Sequence, residues 1–286
     1  MTGKQLIMLL RHLQVFRLLI INIVLLLATA NICNSAETTT LYSDSVKALE
    51  SRLSSADPNQ WCFVFMGDNR GNDRKFVEIL KRAKDINPLF ILHGGDISER
   101  GGTKELSHFV DVVTSVKDLP PLFVVRGNHE TNSALFEKMI GPLNFVIDSQ
   151  KLGLHLVAVD NANYSLTNKA LSFLSTNLDN KRQNQFVSMH IPPKTDRWPK
   201  HTFDKGSNEL FQLMADRHVK IGLFSHVHLF DEDTIKNIPY IISGGAGAQL
   251  AWIGYSGDAK YHLVIVEVAK GKVSYRVERF DSELMP

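Results

Sequence analysis

The 286-residue sequence has only two cysteines, too few for a disulfide framework. One of them, Cys62, lies in an apolar run and reads as a packed side chain. Ten prolines and 18 glycines are scattered along the chain, which excludes a fibrous or low-complexity protein. Neither charge dominates: 32 Lys and Arg stand against 30 Asp and Glu, a formal net charge of +2. No specific nucleic-acid binding is therefore expected, because neutralising a phosphate backbone takes clustered cations. Nor is there an internal repeat or a linker past residue 60. What remains is an ordinary globular composition, 44% hydrophobic and 22% charged, long enough for a sizeable core.

The N-terminus departs from these averages. Residues 1–17 carry Lys4, Arg11 and Arg17 and no acid, and the run 18–30 has Asn22 and Thr29 as its only polar residues. A basic lead, a short apolar run and small residues at its end are the marks of a secretory signal peptide. Cleavage is expected after Ala30 or Ala36, leaving one domain over residues 37–286 and a periplasmic or secreted protein. An uncleaved membrane anchor over residues 18–32 is the alternative, and the only route to a membrane partner. This 13-residue run at 1.5 Å per residue falls short of a bilayer core of about 30 Å. Cleavage after Ala30 retains Cys33, which can then pair with Cys62; cleavage after Ala36 leaves Cys62 alone. Without residues 1–36 the balance is 32 − 3 = 29 basic against 30 acidic, or −1.

Beyond a short helix at Val46–Leu53, strand-like and helix-like pieces alternate, which predicts an α/β fold. Strands are expected at Trp61–Met66, Leu89–Leu92, Leu122–Val125, Leu154–Val159, Gln185–Met189 and Val219–Phe224. Phe76, Ile79, Leu80 and Ala83 have the i, i+3, i+4, i+7 spacing of an amphipathic helix. Further helices are expected around 103–117, 168–178 and 207–216. Residues 229–282 hold short alternating runs without a helical period, which suggests antiparallel strands completing a second sheet.

Five of the strands stop at polar residues flanked by Gly, Ser or His: Asp68, Asp96, Asn128-His129, His190 and His226-Val227-His228. Ligand sites of open α/β sheets lie beyond the carboxyl ends of strands. The separations of 28, 32, 62 and 36 residues mean that only folding can bring the five together. Two carboxylates, an amide oxygen and three imidazoles suit a pair of divalent cations of the Mn, Fe or Zn type.

The ordered blocks Gly67-Asp68-Asn69-Arg70, Gly95-Asp96-Ile97-Ser98-Glu99, Gly127-Asn128-His129-Glu130, Met189-His190 and Ser225-His226-Val227-His228 resemble those of the calcineurin-like metallophosphoesterases. The resemblance runs from about Trp61 to Gln249. It implies a four-layer α/β/β/α sandwich with two mixed sheets and a site on their shared edge. It implies two metal ions, with Asp96 bridging, Asn128, His190 and His226 on the second metal, and Asp68 and His228 on the first. It implies that His129 protonates the leaving group or steadies the phosphoryl group, while a hydroxide held between the metals attacks phosphorus. The expected activity is hydrolysis of small phosphate mono- or diesters.

Two departures from the pattern stand out, at Arg70 and at Ser225. Arg70 replaces the first block's histidine, and an arginine has no lone pair for a metal. It can leave the first site loose, or grip substrate phosphate with its fork. Glu99 occupies the position that in purple acid phosphatases supplies a metal ligand and in other branches orients the motif histidine. It is a candidate ligand or a partner of His129. A non-catalytic or weakly active phospho-ligand-binding homologue with a degenerate first metal site, or a membrane-associated nucleotide or lipid pyrophosphatase, are the rival readings. Ser225 replaces a glycine, a minor change unless the backbone there is left-handed. Gly244–Gly247 is read as a tight turn in preference to a close approach to the site. Arg100 and Arg126 can bind phosphate or pair with Glu99 or Glu130. Trp198, Phe203 and the 191–207 loop are either substrate-side walls or core cover. His93, His108, His155, His201, His218 and His262 are read as structural, with His201 the one near the expected site.

Overall fold

The computed structural model describes residues 39–250 and 256–280. The expected signal segment and Cys33 lie outside the described residues. Helix α1 (Leu41–Ser55) leads into β1 (Gln60–Met66), α2 (Asp73–Ile86), β2 (Ile91–His93), α3 (Thr103–Ser115) and β3 (Leu122–Val124). After α4 (Ser133–Met139) come β4 (Phe145–Ser149), β5 (Leu154–Ala158), α5 (Asn168–Asn177), β6 (Asn184–Ser188), α6 (Ser207–Asp216) and β7 (Ile221–Phe224). The chain ends in two hairpins, β8 (Phe230–Ile235) with β9 (Ile238–Ser243) and β10 (Tyr261–Ala269) with β11 (Lys272–Phe280).

The strands form two mixed sheets, ordered β11-β10-β1-β2-β3 and β4-β5-β6-β7-β9-β8. Each strand of the interior is buried on both faces, so its apolar residues run on without a polar alternate. In β1, Phe63 and Phe65 point into the core between the sheets, where they meet Phe90, Phe123, Phe186, Leu223 and Val264. Val64 and Met66 point the other way, onto Phe76, Ile79 and Leu80 of α2 and Leu106 and Phe109 of α3. The second sheet repeats this arrangement: Leu154 and Leu156 face the inner core, while Val157 packs with Leu174 of α5 and Leu210 and Met214 of α6. Helix, sheet, sheet and helix thus stack as the four expected layers.

Helix α1 covers the free edge of β3. Ser45 Oγ donates to Leu122 O at 2.8 Å and accepts from Leu122 N at 3.1 Å, so an otherwise unpaired strand edge is satisfied. The helix starts at Thr40 with a reciprocal cap: Ser43 N donates to Thr40 Oγ1 and Thr40 N to Ser43 Oγ.

The late strands differ from expectation. Only β8 and β9 complete the second sheet, and β9 runs parallel to β7. β10 instead pairs antiparallel with β1, with Trp61 opposite Val268 and Phe65 opposite Val264. Its two faces are both apolar, Val264 and Val266 for the inner core, Leu263 and Ile265 for the helices, so it fits the first sheet beside the equally buried β1. Helix α4 and the edge strand β4 are additions to the expected elements.

Candidate metal centre

Strands β1, β2 and β3 are mutually parallel, as are β5, β6, β7 and β9. Their carboxyl ends therefore deliver the five polar blocks to one edge of the sandwich. Three of the delivered residues have left-handed backbone: Asp68 at φ 60, Asp96 at φ 55 and His226 at φ 70. Such conformations are uncommon for residues with a Cβ and persist where the surroundings over-determine them. Here the surroundings are hydrogen bonds among the site's own parts. Asp68 N donates to Gly95 O at 3.0 Å, Asp96 N to Glu130 Oε2 at 3.0 Å, and His226 N to Asp68 Oδ2 at 2.8 Å.

Glycines admit this crowding. A Cβ on Gly127 would lie 2.2 Å from Asp96 N. A Cβ on Gly67 would lie 1.9 Å from Ser225 Oγ, and one on Gly94 would lie 2.7 Å from it. Ser225 itself is outside the left-handed region, and its hydroxyl donates to Ser243 O at 2.7 Å. The serine in place of glycine is thus housed without backbone strain, in space that two other glycines leave.

Two groups of donors result, each within 4.8 Å: Asp96, His190 and His226, and Asp68, Asp96 and His228. Asp96 belongs to both. The ring nitrogens are sorted accordingly. His190 Nδ1 donates to Gly94 O at 2.7 Å, which turns Nε2 toward the site, 3.0 Å from Asn128 Oδ1 and 3.3 Å from Asp96 Oδ1. His228 Nδ1 donates to Gln249 O at 2.7 Å, leaving Nε2 at 3.4 Å from Asp68 Oδ1. His226 Nε2 is 3.1 Å from the Tyr164 hydroxyl, while its buried Nδ1 has no partner. Asp68 Oδ1 is likewise buried without a hydrogen bond. Outer partners holding one nitrogen while the other faces carboxylates is the arrangement of metal-binding histidines. The residues present fit a pair of divalent ions.

The electrostatics point the same way. Burial penalises the charge on Asp96, but His190 and His129 outweigh it and hold the carboxyl below its usual range. Burial works against the charge on His190 too, yet Asp96 and Asp68 lift it to about 9. Burial and the neighbouring His190 push His226 down to about 3. Two buried carboxylates thus demand positive charge from whatever adjoins them. Glu130 is the scaffold beneath: its carboxylate accepts from Asp96 N, Ser98 N, Ser98 Oγ and Gly127 N. Burial, with Asp96 next to it, raises its pKa to about 7.

The remaining candidates surround this centre. His129 is half-exposed, its Nδ1 donating to the Glu99 carbonyl at 2.7 Å and its Nε2 3.8 Å from Asp96 Oδ2. The Glu99 carboxylate does not partner His129; it pairs with Arg70 Nη1 at 2.9 Å and is 55% exposed. Arg70 Nε lies 3.8 Å from Asp96 Oδ2. Arg126 is committed elsewhere, to Asp160 through Nε and Nη2 and to Glu130 O through Nη1.

Trp198 and Phe203 are 0% and 1% exposed and belong to the outer core of the second sheet, so they are not substrate walls. Trp198 Nε1 is spent on Asp231 Oδ2. Gly244 is a close approach, not merely a turn: a Cβ there would lie 2.2 Å from Val227 O and 3.0 Å from Asp68 Oδ2. Next to it Ala246 N and Ala248 N donate to Gly67 O and Asp68 O. His201 lies at the site's rim, its ring 6.2 Å from that of His226. His93 and His262 are buried in the structure's interior, and His155 bridges Asp148 and Asn177 O. Tyr164, 44% exposed with φ 60, escaped the sequence reading: it sits in an irregular loop with no pattern to mark it.

Two stacked sheets that gather nitrogen and oxygen donors around one shared carboxylate define the class of α/β sandwiches with a candidate dinuclear metal site. The chain belongs to the calcineurin-like phosphoesterase family, whose model matches residues 63–230, more than half its length. Among solved structures it is similar to GAP50, the anchor in the inner membrane complex of Plasmodium. There the TM-score is 0.61 at 13% identity, covering 77% of this chain and 84% of that one. It is similar to the purple acid phosphatase PPD1 from yellow lupin (Lupinus luteus) seeds, at TM-score 0.58 and 13% identity over 78% of this chain and 53% of that one. The chain thus spans about half the length of the lupin protein. A dimetal phosphatase from Danio rerio matches at TM-score 0.57 and 12% identity, over 79% of this chain and all of that one. These likenesses concern the fold. No curated protein matches the chain by sequence.

Proposed function

We propose that the chain is an exported, metal-dependent phosphoesterase acting on small phosphate mono- or diesters. The observation that carries this reading is the pair of donor groups joined at Asp96, with Asp68 Oδ1 and His226 Nδ1 buried beside it and neither hydrogen-bonded. Asp68, Asp96 and His228 would hold one divalent ion, and Asp96, Asn128, His190 and His226 the other, with Mn, Fe or Zn suited to such ligands. Bound there, the ions supply Lewis acidity and a nucleophile at neutral pH. The side chains around them do the rest. His129, its Nδ1 fixed on the Glu99 carbonyl, turns Nε2 toward Asp96 and can pass a proton from that atom to the leaving oxygen. Arg70, with its buried Nε 3.8 Å from Asp96 Oδ2 and Nη1 on an exposed glutamate, can exchange that glutamate for substrate phosphate.

The test is turnover of para-nitrophenyl phosphate and its bis-ester by chelator-stripped protein after Mn or Zn is added back. Hydrolysis dependent on added metal is expected. No turnover with any metal would overturn the enzyme reading in favour of a phospho-ligand-binding homologue, for which the cationic Arg70 beside the first donor group is the favouring observation. Export is tested by the N-terminal mass of the protein recovered outside the cytoplasm, which is expected to begin at Asn31 or Glu37.

A further inference from the structure

A cleft of about 350 Å³ lies between α2 and α3, next to the candidate metal centre. That volume falls at the small end of ligand sites. Arg70 and Glu99 line it, and Arg70 also reaches Asp96, so one side chain forms a wall of both the cleft and the metal centre. The floor is apolar: Ile97 and Phe109 are 4% and 2% exposed, and Val112 is half-buried beside them, while Asn69, Asp73, Ser98, Lys104 and Glu105 add polar walls. His108 stands at the rim, its Nε2 2.7 Å from Asp73 Oδ2. Arg70, which stands where the family's first block has a histidine, and Glu99 both face this cleft.

We propose that the cleft receives the group esterified to the phosphate, and that the preferred substrates are phosphate esters bearing a single flat apolar or aromatic ring. The inference rests on the phosphoesterase reading above and names its substrate class. A phosphoryl group held between the candidate metal centre and Arg70 has the cleft as the neighbouring hollow on the Arg70 side. A ring against Ile97, Phe109 and Val112 gains from apolar burial. A sugar or polyol on that floor would set hydroxyls against Ile97, Phe109 and Val112, which return no hydrogen bonds, and would find polar partners only at the walls. The cleft's volume of about 350 Å³ accommodates one ring and its substituents.

Calorimetric titration of the Mn-loaded protein with phenylphosphonate and methylphosphonate separates the ring from the phosphoryl end, and neither probe is hydrolysed. Phenylphosphonate is expected to bind at least about tenfold more tightly, as burial of one ring implies. Val112→Trp, which fills the cleft, is expected to remove that preference while leaving methylphosphonate affinity unchanged. His108→Trp, at a side chain 61% exposed and so harmless to folding, is expected to reduce it in the same direction. Equal affinities in the wild type, or a ring preference that survives both substitutions, would overturn the proposal. Failure of both phosphonates to bind would overturn the phosphoesterase reading, and this inference with it.

Discussion

Removing the Asp96 carboxylate takes a ligand atom from both donor groups at once, whereas removing the His228 ring takes one from a single group. Asp96→Ala is therefore expected to bind no stoichiometric divalent metal, and His228→Ala to keep about one equivalent per chain, measured by elemental analysis after dialysis. Glu99→Ala is expected to bind as much metal as the wild type, because its carboxylate is turned to Arg70. A second residue-scale consequence comes from His262, buried between Ser243 Oγ and the Lys260 carbonyl. Burial lowers its pKa from 6.5 to about 4, so the unfolded chain takes up a proton in that interval that the folded chain refuses. The wild type is therefore expected to lose stability relative to His262→Gln as pH falls from 6.5 to about 4, by up to about 1.4 kcal/mol per unit. Urea unfolding in chelator across that range measures it. Every member of the two donor groups was legible in the sequence, because each is a special residue next to a glycine, serine or apolar strand end. The Arg70–Glu99 pair and the Tyr164 contact with His226 were not, since neither loop has a period that fixes where its side chains turn.

Helix α1 shows what a single cap contributes to an element that must cover a strand edge. Thr40→Ala removes the acceptor of Ser43 N and is expected to lower stability by about 1 kcal/mol, read from denaturant midpoints. The periodicity at Phe76, Ile79, Leu80 and Ala83 predicted α2 because all four face one buried layer. Helix α4 went unseen because it is seven residues long and buries only Phe136. The β10–β11 hairpin marks a different limit. Alternating apolar residues reveal that a strand has two faces, but not which strand lies beside it. β10 could be recognised as a strand and still be assigned to the wrong sheet, because its neighbour β1 is about two hundred residues earlier in the chain.

At the scale of the molecule, the candidate metal centre joins the two sheets. Asp68, Asp96 and Asn128 follow strands of the first sheet, and His190, His226 and His228 follow strands of the second. Ions bound there would tie the halves together and stabilise the folded state by mass action. Mn at about a hundred times its dissociation constant is expected to raise the thermal midpoint by about 5–10 °C, followed by circular dichroism, with no rise in Asp96→Ala. The contact of Ser225 with Gly67 and Gly94 crosses the same seam. It makes the mutational history of one sheet conditional on the other. With serine at 225, a side chain at 67 or 94 collides with it; with glycine at 225, the space at 67 is open to within 3.2 Å of the Gly94 backbone. A lineage must therefore hold both glycines before it can acquire the serine, and once it has the serine neither glycine is free to drift.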